Sequence, residues 1–307
     1  MVASFFRIAT WARRGWWRAA FLVLGLPGVL AGLSWSLTAP LEDSSAPFID
    51  ASKPEPLASP ARIDVPPPWP DGSLEGMPAK RLLLATLLTA AERLERVPGY
   101  TAIFRKQERL NGVLVPEQTL AMKVRHRPFA VYLKFLAPKE GKEAVYAEGH
   151  HENKVITHTP GVVGWIIPRL AFPPDSPQVL AESRHPITEA GLANLTKKLI
   201  GFRRMDLDDP EALTILDRTT GPDGRAWLRS LHTHPRQRPE RPFARTEVLY
   251  DPETRIPMHI SNYEWQGPGH EGDLLLAERY AYEDLNLNAT LTTLDFDPAN
   301  PAYAFHR

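Results

Sequence analysis

The histidines are the first residues whose spacing could do chemistry. In His232-Thr233-His234 the two imidazoles alternate along an extended chain and fall on one face, a spacing compatible with zinc or copper. His150-His151 and Glu152 could add ligands. No HExxH-type spacing accompanies them, and Pro235 follows His234 at a strand end, so solvated side chains are the preferred reading and no metal is expected. A serine nucleophile needs a base and an orienting acid, and Ser176, Ser183, Ser230 and Ser261 lie in no G-x-S-x-G context. Asp206, Asp208 and Asp209, like Asp295 and Asp297, sit beside prolines and read as turn formers that accept backbone hydrogen bonds. Gly161–Gly164 lacks the spacing and the lysine of a phosphate loop. Nothing in the chain composes a catalytic set, and the expectation is a protein that is not an enzyme and carries no cofactor.

Two non-catalytic patterns remain. Lys123, Arg125, Arg127 and Lys134, with Lys139 and Lys142 beyond them, would form a cationic patch on adjacent strands, suited to lipid headgroups or an acidic partner. The plainer reading is a solvated sheet face balanced by Glu140, Glu143 and Glu148. The apolar faces of the strands bring together Phe104, Leu120, Met122, Val124, Val131, Leu133, Phe135, Met258 and Ile260. These are either ordinary core or, if the sheet curves enough, the lining of a ligand cavity in which adaptable methionines suit an irregular acyl chain.

The elements that would position these residues are legible in the alternation of apolar and polar positions. Residues 79–97 place Leu83, Leu87, Ala90 and Leu94 on one helical stripe, and Pro98-Gly99 ends it. Tyr100–Leu110 and Val113–Val115 flank Asn111-Gly112, a hairpin dipeptide. Thr119–Arg127, Ala130–Leu136, Glu143–Glu148 and Lys154–Thr159 continue as strands. Leu170–Glu182 reads as a loop, Pro186–Phe202 as a second helix, and Glu211–Arg218, Arg225–Thr233, Phe243–Tyr250, Ile256–Trp265 and Asp273–Glu283 as further strands. Leu294–Tyr303 reads as a polar, proline-rich tail. Short turns between successive strands require antiparallel pairing, because parallel pairs need long crossovers. The expected fold is α+β and mostly β: a strongly curved antiparallel half-barrel with helices covering its concave face.

The N-terminus differs in kind. Four arginines and no acid occur in residues 1–37, and Ala19–Leu37 is uncharged over 19 residues, close to a membrane span. Basic residues before the span should stay cytoplasmic and place the rest outside. Leu37 and Pro40 fit signal cleavage poorly, so a retained anchor is preferred to a cleaved signal. Residues 38–78 hold ten prolines and read as a disordered spacer, leaving 79–307 as one half-barrel domain. The whole chain has 36 basic and 36 acidic residues; beyond residue 37 the balance is 32 against 36. No basic stripe interleaved with aromatics occurs, which argues against nucleic acid. The absence of cysteine excludes disulfides, thiolate metal sites and lipobox acylation.

The stretches YTAIFRKQERLNGVLVPEQTLAMKVRHRPFAVYLKFLAPKEGKEAVY, SRHPITEAGLANLTKKL and LTTLDFDPANPAY resemble a family of bacterial envelope proteins known only as a domain of unknown function. The likeness covers roughly residues 90–307. The first stretch also resembles, more loosely, the lipoprotein-carrier superfamily that includes LolA and RseB. That likeness implies a curved antiparallel sheet around an apolar cavity plugged by helices, and it carries no catalytic residues. The function expected is an envelope protein, anchored in the inner membrane or secreted to the periplasm, that binds a lipid, an acyl chain or a lipidated protein as carrier, tether or sensor. The alternative is a non-enzymatic scaffold that binds a protein partner through its sheet edge or basic face.

Overall fold

A computed structural model describes residues 68–221, 223–265 and 274–306. The expected anchor and most of the expected spacer lie outside them. Among the described residues no helix is long and apolar enough to cross a membrane.

The elements follow in order. Strand β1 (Leu74–Glu75) leads into helix α1 (Gly76–Glu95). Strands β2 (Gly99–Leu110), β3 (Val113–Leu114), β4 (Gln118–Arg125), β5 (Ala130–Ala137), β6 (Glu143–Ala147) and β7 (Val155–His158) come next. Helix α2 (Val162–Ile166), strand β8 (Leu170–Phe172) and helices α3 (Pro177–Leu180) and α4 (Leu192–Leu207) form the middle. Strands β9 (Leu213–Thr220), β10 (Ala226–Thr233), β11 (Arg245–Tyr250), β12 (Pro257–Trp265) and β13 (Leu274–Asn286) complete the set. All thirteen join one open antiparallel sheet in the order β1-β9-β10-β11-β12-β13-β2-β4-β5-β6-β7-β8, with β3 hairpinned onto β2. The half-barrel with covering helices is thus the observed fold.

Two meanders meet where β13 pairs with β2, aligning Tyr282 with Phe104 and Glu278 with Glu108. Alternation along β4 buries Leu120, Met122 and Val124, and the register places them opposite Phe135, Leu133 and Val131 of β5. Register shifts in the β4–β5, β11–β12, β12–β13 and β13–β2 ladders add local twist, which a sheet this wide needs in order to curve. At the β2–β3 turn Asn111 and Gly112 both adopt positive φ, as a two-residue hairpin demands.

Helices α1 and α4 pack on each other and on the β9 and β12 side of the sheet. Leu83 and Leu87 of α1 and Leu199 of α4 share a core with Leu216, Leu228, Val248 and Ile260. Trp69 belongs to the same core and donates its indole N–H to the Asp217 carbonyl at 2.8 Å. The last ten positions of the expected spacer are therefore built into the fold, and α1 begins at Gly76.

Helix α4 starts later than the sequence suggests and ends later. Gly191, at φ 97°, breaks the chain before it and lets the Leu192 N–H donate to the Tyr100 hydroxyl at 2.8 Å. A Cβ at Gly191 would stand 3.0 Å from that same oxygen. The expected loop over Leu170–Glu182 holds β8 and α3. The expected polar tail is a second correction: Phe296, Tyr303 and Phe305 are buried against Tyr132, Val145 and Ile156 on the outer face of the sheet. Tyr303 stacks on Tyr132 with ring centroids 4.0 Å apart.

Candidate functional site

The concave side of the sheet encloses a cavity of about 600 Å³, within the range that holds small ligands. Of the nine residues expected to line it, Phe104, Leu120, Leu133, Phe135 and Ile260 do so. Met122, Val124, Val131 and Met258 do not. They are buried in the core that also holds Leu94 and Leu192, beneath the helices. Strand alternation identifies the inward face, whereas the helices decide which inward positions stay open. Leu195, Leu199 and Phe202 of α4 form the opposite wall, and Tyr280 and Tyr282 of β13 close the side.

The chain crosses part of this cavity between α3 and α4, where Glu182, Ser183, Arg184 and His185 line it. Two buried carboxylates hold that crossing. Glu108 meets the Lys106 ammonium at 3.1 Å and accepts from the Arg184 N–H at 3.3 Å and the Tyr280 hydroxyl at 2.6 Å. Glu278 accepts from Asn262 at 2.8 Å and lies 2.9 Å from His185 Nε2 and 3.2 Å from Arg184 Nε. Burial alone would raise the Glu278 pKa, but His185, Asn262 and Arg184 more than offset it and hold it below the ordinary value. Burial and both carboxylates push the Tyr280 hydroxyl far upward, so it stays protonated. Each acid is occupied by the chain's own donors, an arrangement that fastens this crossing to the sheet. Glu182 similarly pairs with Lys142.

A second polar cluster lies farther along the same cross-strand row, in which Glu278 pairs with Asn262, Asn262 with Thr246 and Thr246 with His232. Asp206, on the last turn of α4, lies 2.8 Å from His232 Nε2 and 3.0 Å from His234 Nε2. Its oxygens also meet Arg203 Nε at 3.0 Å and an Arg241 nitrogen at 2.9 Å. Asp206, Arg203, His232 and Arg241 are all at most 5% exposed. The solvated histidines expected at 232 and 234 are thus corrected, and so is the reading of Asp206 as a turn former. Burial opposes the Asp206 charge, yet the His232 and His234 hydrogen bonds and the Arg203 charge hold its carboxyl far below the usual range. Burial and Arg203 push His232 down to about 3, so that imidazole is neutral. Its Nδ1 completes its bonding with the Thr214 hydroxyl at 2.7 Å.

Asp206, His232 and His234 offer three ligand atoms within 4.8 Å of one another, a donor set that suits zinc. Two guanidiniums already share that carboxylate, however. A divalent cation there would gain one negative charge and face two positive ones, so the arrangement fits a buried ion knot better than a metal centre. His150 and His151 lie apart from it on an exposed turn.

The cationic strand residues form no open patch. Lys123 contacts Asp295 at 2.6 Å and the Tyr303 hydroxyl at 3.1 Å, and Arg125 lies over the Phe296 ring. The C-terminal segment thus covers both. Lys134 faces Glu143 at 3.9 Å, and Arg127 stands exposed on the turn after β4, apart from the other three. The sheet edges, β1 and β8, are two and three residues long, too short to template a partner strand.

Arg203 and Arg241 belong to the Asp206 cluster although neither was expected there. A signal for the first existed: Leu199, Arg203 and Asp206 continue the inward stripe of α4 at spacings of four and three, so charged side chains lie on an apolar face. Arg241 lies in a loop and carries no such periodic mark.

Residues 97–305 match the family described as a protein of unknown function, DUF1571. No curated protein matches the chain. Among solved structures, the chain is similar to the Mycobacterium tuberculosis lipoprotein LppX, at 11% identity and a TM-score of 0.38, over 69% of this chain and 99% of that one. It is also similar to a putative outer membrane lipoprotein-sorting protein domain from Vibrio parahaemolyticus, at 8% identity and a TM-score of 0.34, over 70% and 95% of the two chains. A DUF1329 family protein from Desulfovibrio piger shows 9% identity and a TM-score of 0.35 over 71% and 97%.

Proposed function

The chain belongs to the DUF1571 family, and we propose that it binds an apolar ligand, a lipid, an acyl chain or the acyl group of a lipidated protein, in the cavity of its half-barrel. The observation that carries this reading is the cavity itself: about 600 Å³ between strand side chains such as Phe104 and Phe135 and the α4 side chains Leu195 and Phe202. A well-packed interior leaves few voids larger than a water molecule, so an apolar space of this size calls for an apolar occupant. The carboxylates that reach the cavity are tied to cations of the same chain, which supports a binding role over a catalytic one.

An apolar turn adjoins the cavity. Val162, Trp165 and Ile166 of α2 are 75%, 79% and 65% exposed, and the chain runs on into Leu170, which lines the cavity and is 41% exposed. Contiguous exposed apolar side chains mark interaction surfaces, and an interfacial tryptophan suits contact with a lipid layer. We place the protein in the bacterial envelope on the strength of the uncharged Ala19–Leu37 segment with its arginine flank. An anchored protein makes a poor shuttle, so tethering or sensing fits better than long-range transport.

Titration of the full chain with a fluorescent acyl probe tests the reading. Leu133 lines the cavity and is only partly buried, so Leu133→Glu should fold yet weaken probe binding at least tenfold. Unchanged binding in a folded Leu133→Glu protein would remove the cavity from the account.

A further inference from the structure

The cavity lining is largely apolar, but beside the C-terminal turn of α4 it is cationic. Arg203 and Arg241 both line it, and they are 5% and 4% exposed. Elsewhere in the lining each acid has its own cation: Glu108 has Lys106, Glu182 has Lys142, and Glu189 has Lys198 at 2.6 Å. Glu278 has Arg184 and His185. At Arg203 and Arg241 the ratio is reversed, because Asp206 alone serves both guanidiniums at 3.0 and 2.9 Å. The next acid, Asp209, is 3.7 Å from Arg241, too far for a hydrogen bond, and faces Arg238 at the same distance. His234, also in the lining, is already engaged with Asp206.

Arg241 is therefore under-used. Its Nε and Nη1 are buried without any hydrogen-bond acceptor among the described residues. A buried guanidinium lacking acceptors costs stability unless something accepts from it, and its planar fork matches a carboxylate or phosphate. The polar neighbours in the lining are Thr246 and Asn262, and beside them Leu199, Phe202, Phe243 and Ile260 continue the apolar wall.

We propose that the ligand of this cavity is an acyl chain bearing an anionic end group, a carboxylate or a phosphate, and that Arg241, seconded by Arg203, receives that group. The inference rests on the acyl-binding reading and adds the chemistry of the ligand's polar end. Asp206 holds Arg241 in place; the ligand's anion supplies the acceptors that Asp206 cannot. The volume favours a single chain, so a free fatty acid and a monoacyl phosphate are the two sources to separate.

The test compares hexadecanol, palmitate and 1-palmitoyl lysophosphatidate as competitors for a bound fluorescent acyl probe, using the full chain at pH 8. Palmitate or the lysophosphatidate should outcompete hexadecanol by about tenfold or more, as a hydrogen-bonded charge implies, and the stronger of the two identifies the end group. In Arg241→Met the ratio of anion to alcohol should fall toward one. Because removing Arg241 also strips a partner from Asp206, Arg241→Lys serves as the second variant. It keeps the charge beside Asp206, loses the planar fork, and should lose most of the preference. Equal competition by all three ligands in the native protein would overturn the anionic end while leaving the acyl cavity intact. Failure of all three to compete would overturn both readings. A preference that survives unchanged in folded Arg241→Met and Arg241→Lys would overturn the assignment to Arg241.

Discussion

Asp206→Asn is the perturbation that most sharply probes the ion knot at the end of α4. The native carboxylate sits within 3.0 Å of Arg203, Arg241 and His234 and 2.8 Å from His232, in a setting where Arg203 and Arg241 are almost wholly buried. The amide keeps the shape and one acceptor oxygen but removes the charge. Two guanidiniums then share a dry site with no counter-ion nearer than Asp209, 3.7 Å from Arg241. Breaking a buried pair from one side costs about 3–5 kcal/mol. For a domain of this size each kcal/mol moves the melting temperature by about 2–4 °C, so a fall of about 6–20 °C is expected. Urea unfolding followed by tryptophan fluorescence should show a lower midpoint at unchanged slope, since the surface exposed on unfolding stays the same. Adding Arg203→Met to Asp206→Asn should recover part of the loss, because the two residues are coupled. A loss below about 1 kcal/mol, or a strictly additive double variant, would refute the knot as described.

Other expectations follow from the same geometry. Glu278 is held below its ordinary value of 4.5, so its contribution to stability is complete above that pH and is lost as pH falls through the lowered value. Denaturant midpoints should therefore drop on acidification below about pH 4.5, and Glu278→Gln should flatten that drop; an equally steep drop in the variant would contradict it. Tyr303→Ala removes the stack on Tyr132 and the hydroxyl that meets Lys123, and should cost about 3–5 kcal/mol of unfolding free energy, whereas a dispensable tail would cost nothing. Trp165→Ser with Ile166→Ser should slow uptake of an acyl probe from vesicles by about tenfold, given the apolar area removed, while affinity for the dissolved probe stays put. Equal uptake rates would dissociate the exposed turn from ligand entry.

The fold was largely legible because most of its determinants are local. Leu120, Met122 and Val124 alternate with Thr119, Ala121 and Lys123, and a period of two admits only a strand with one inward face. Asn111-Gly112 specified its hairpin, and short turns specified antiparallel pairing. What escaped were features set by distant partners. Leu294–Tyr303 carries aspartates, an asparagine and prolines, and only the outer face of β5 and β6 explains why Phe296 and Tyr303 are buried. Gly191 falls inside a helical pattern, and the hydroxyl of Tyr100, 91 positions earlier, makes it a break. The cavity face was visible, but Met122, Val131 and Met258 look the same in sequence as Leu133 and Phe135. Only the placement of the helices leaves the latter pair open to the cavity. The ion knot was hidden by the Asp206-Leu207-Asp208-Asp209-Pro210 context, where local turn chemistry masked a helical position facing inward.

Native mass spectrometry of the full chain, purified from a bacterial host and paired with solvent extraction, decides whether the half-barrel cavity holds an acyl chain. A chain carrying one acyl ligand at near-unit stoichiometry, or taking up one on addition of palmitate, is expected, with Leu133→Glu losing it. A chain of bare mass that takes up neither fatty acids nor phospholipids would contradict the acyl-binding cavity.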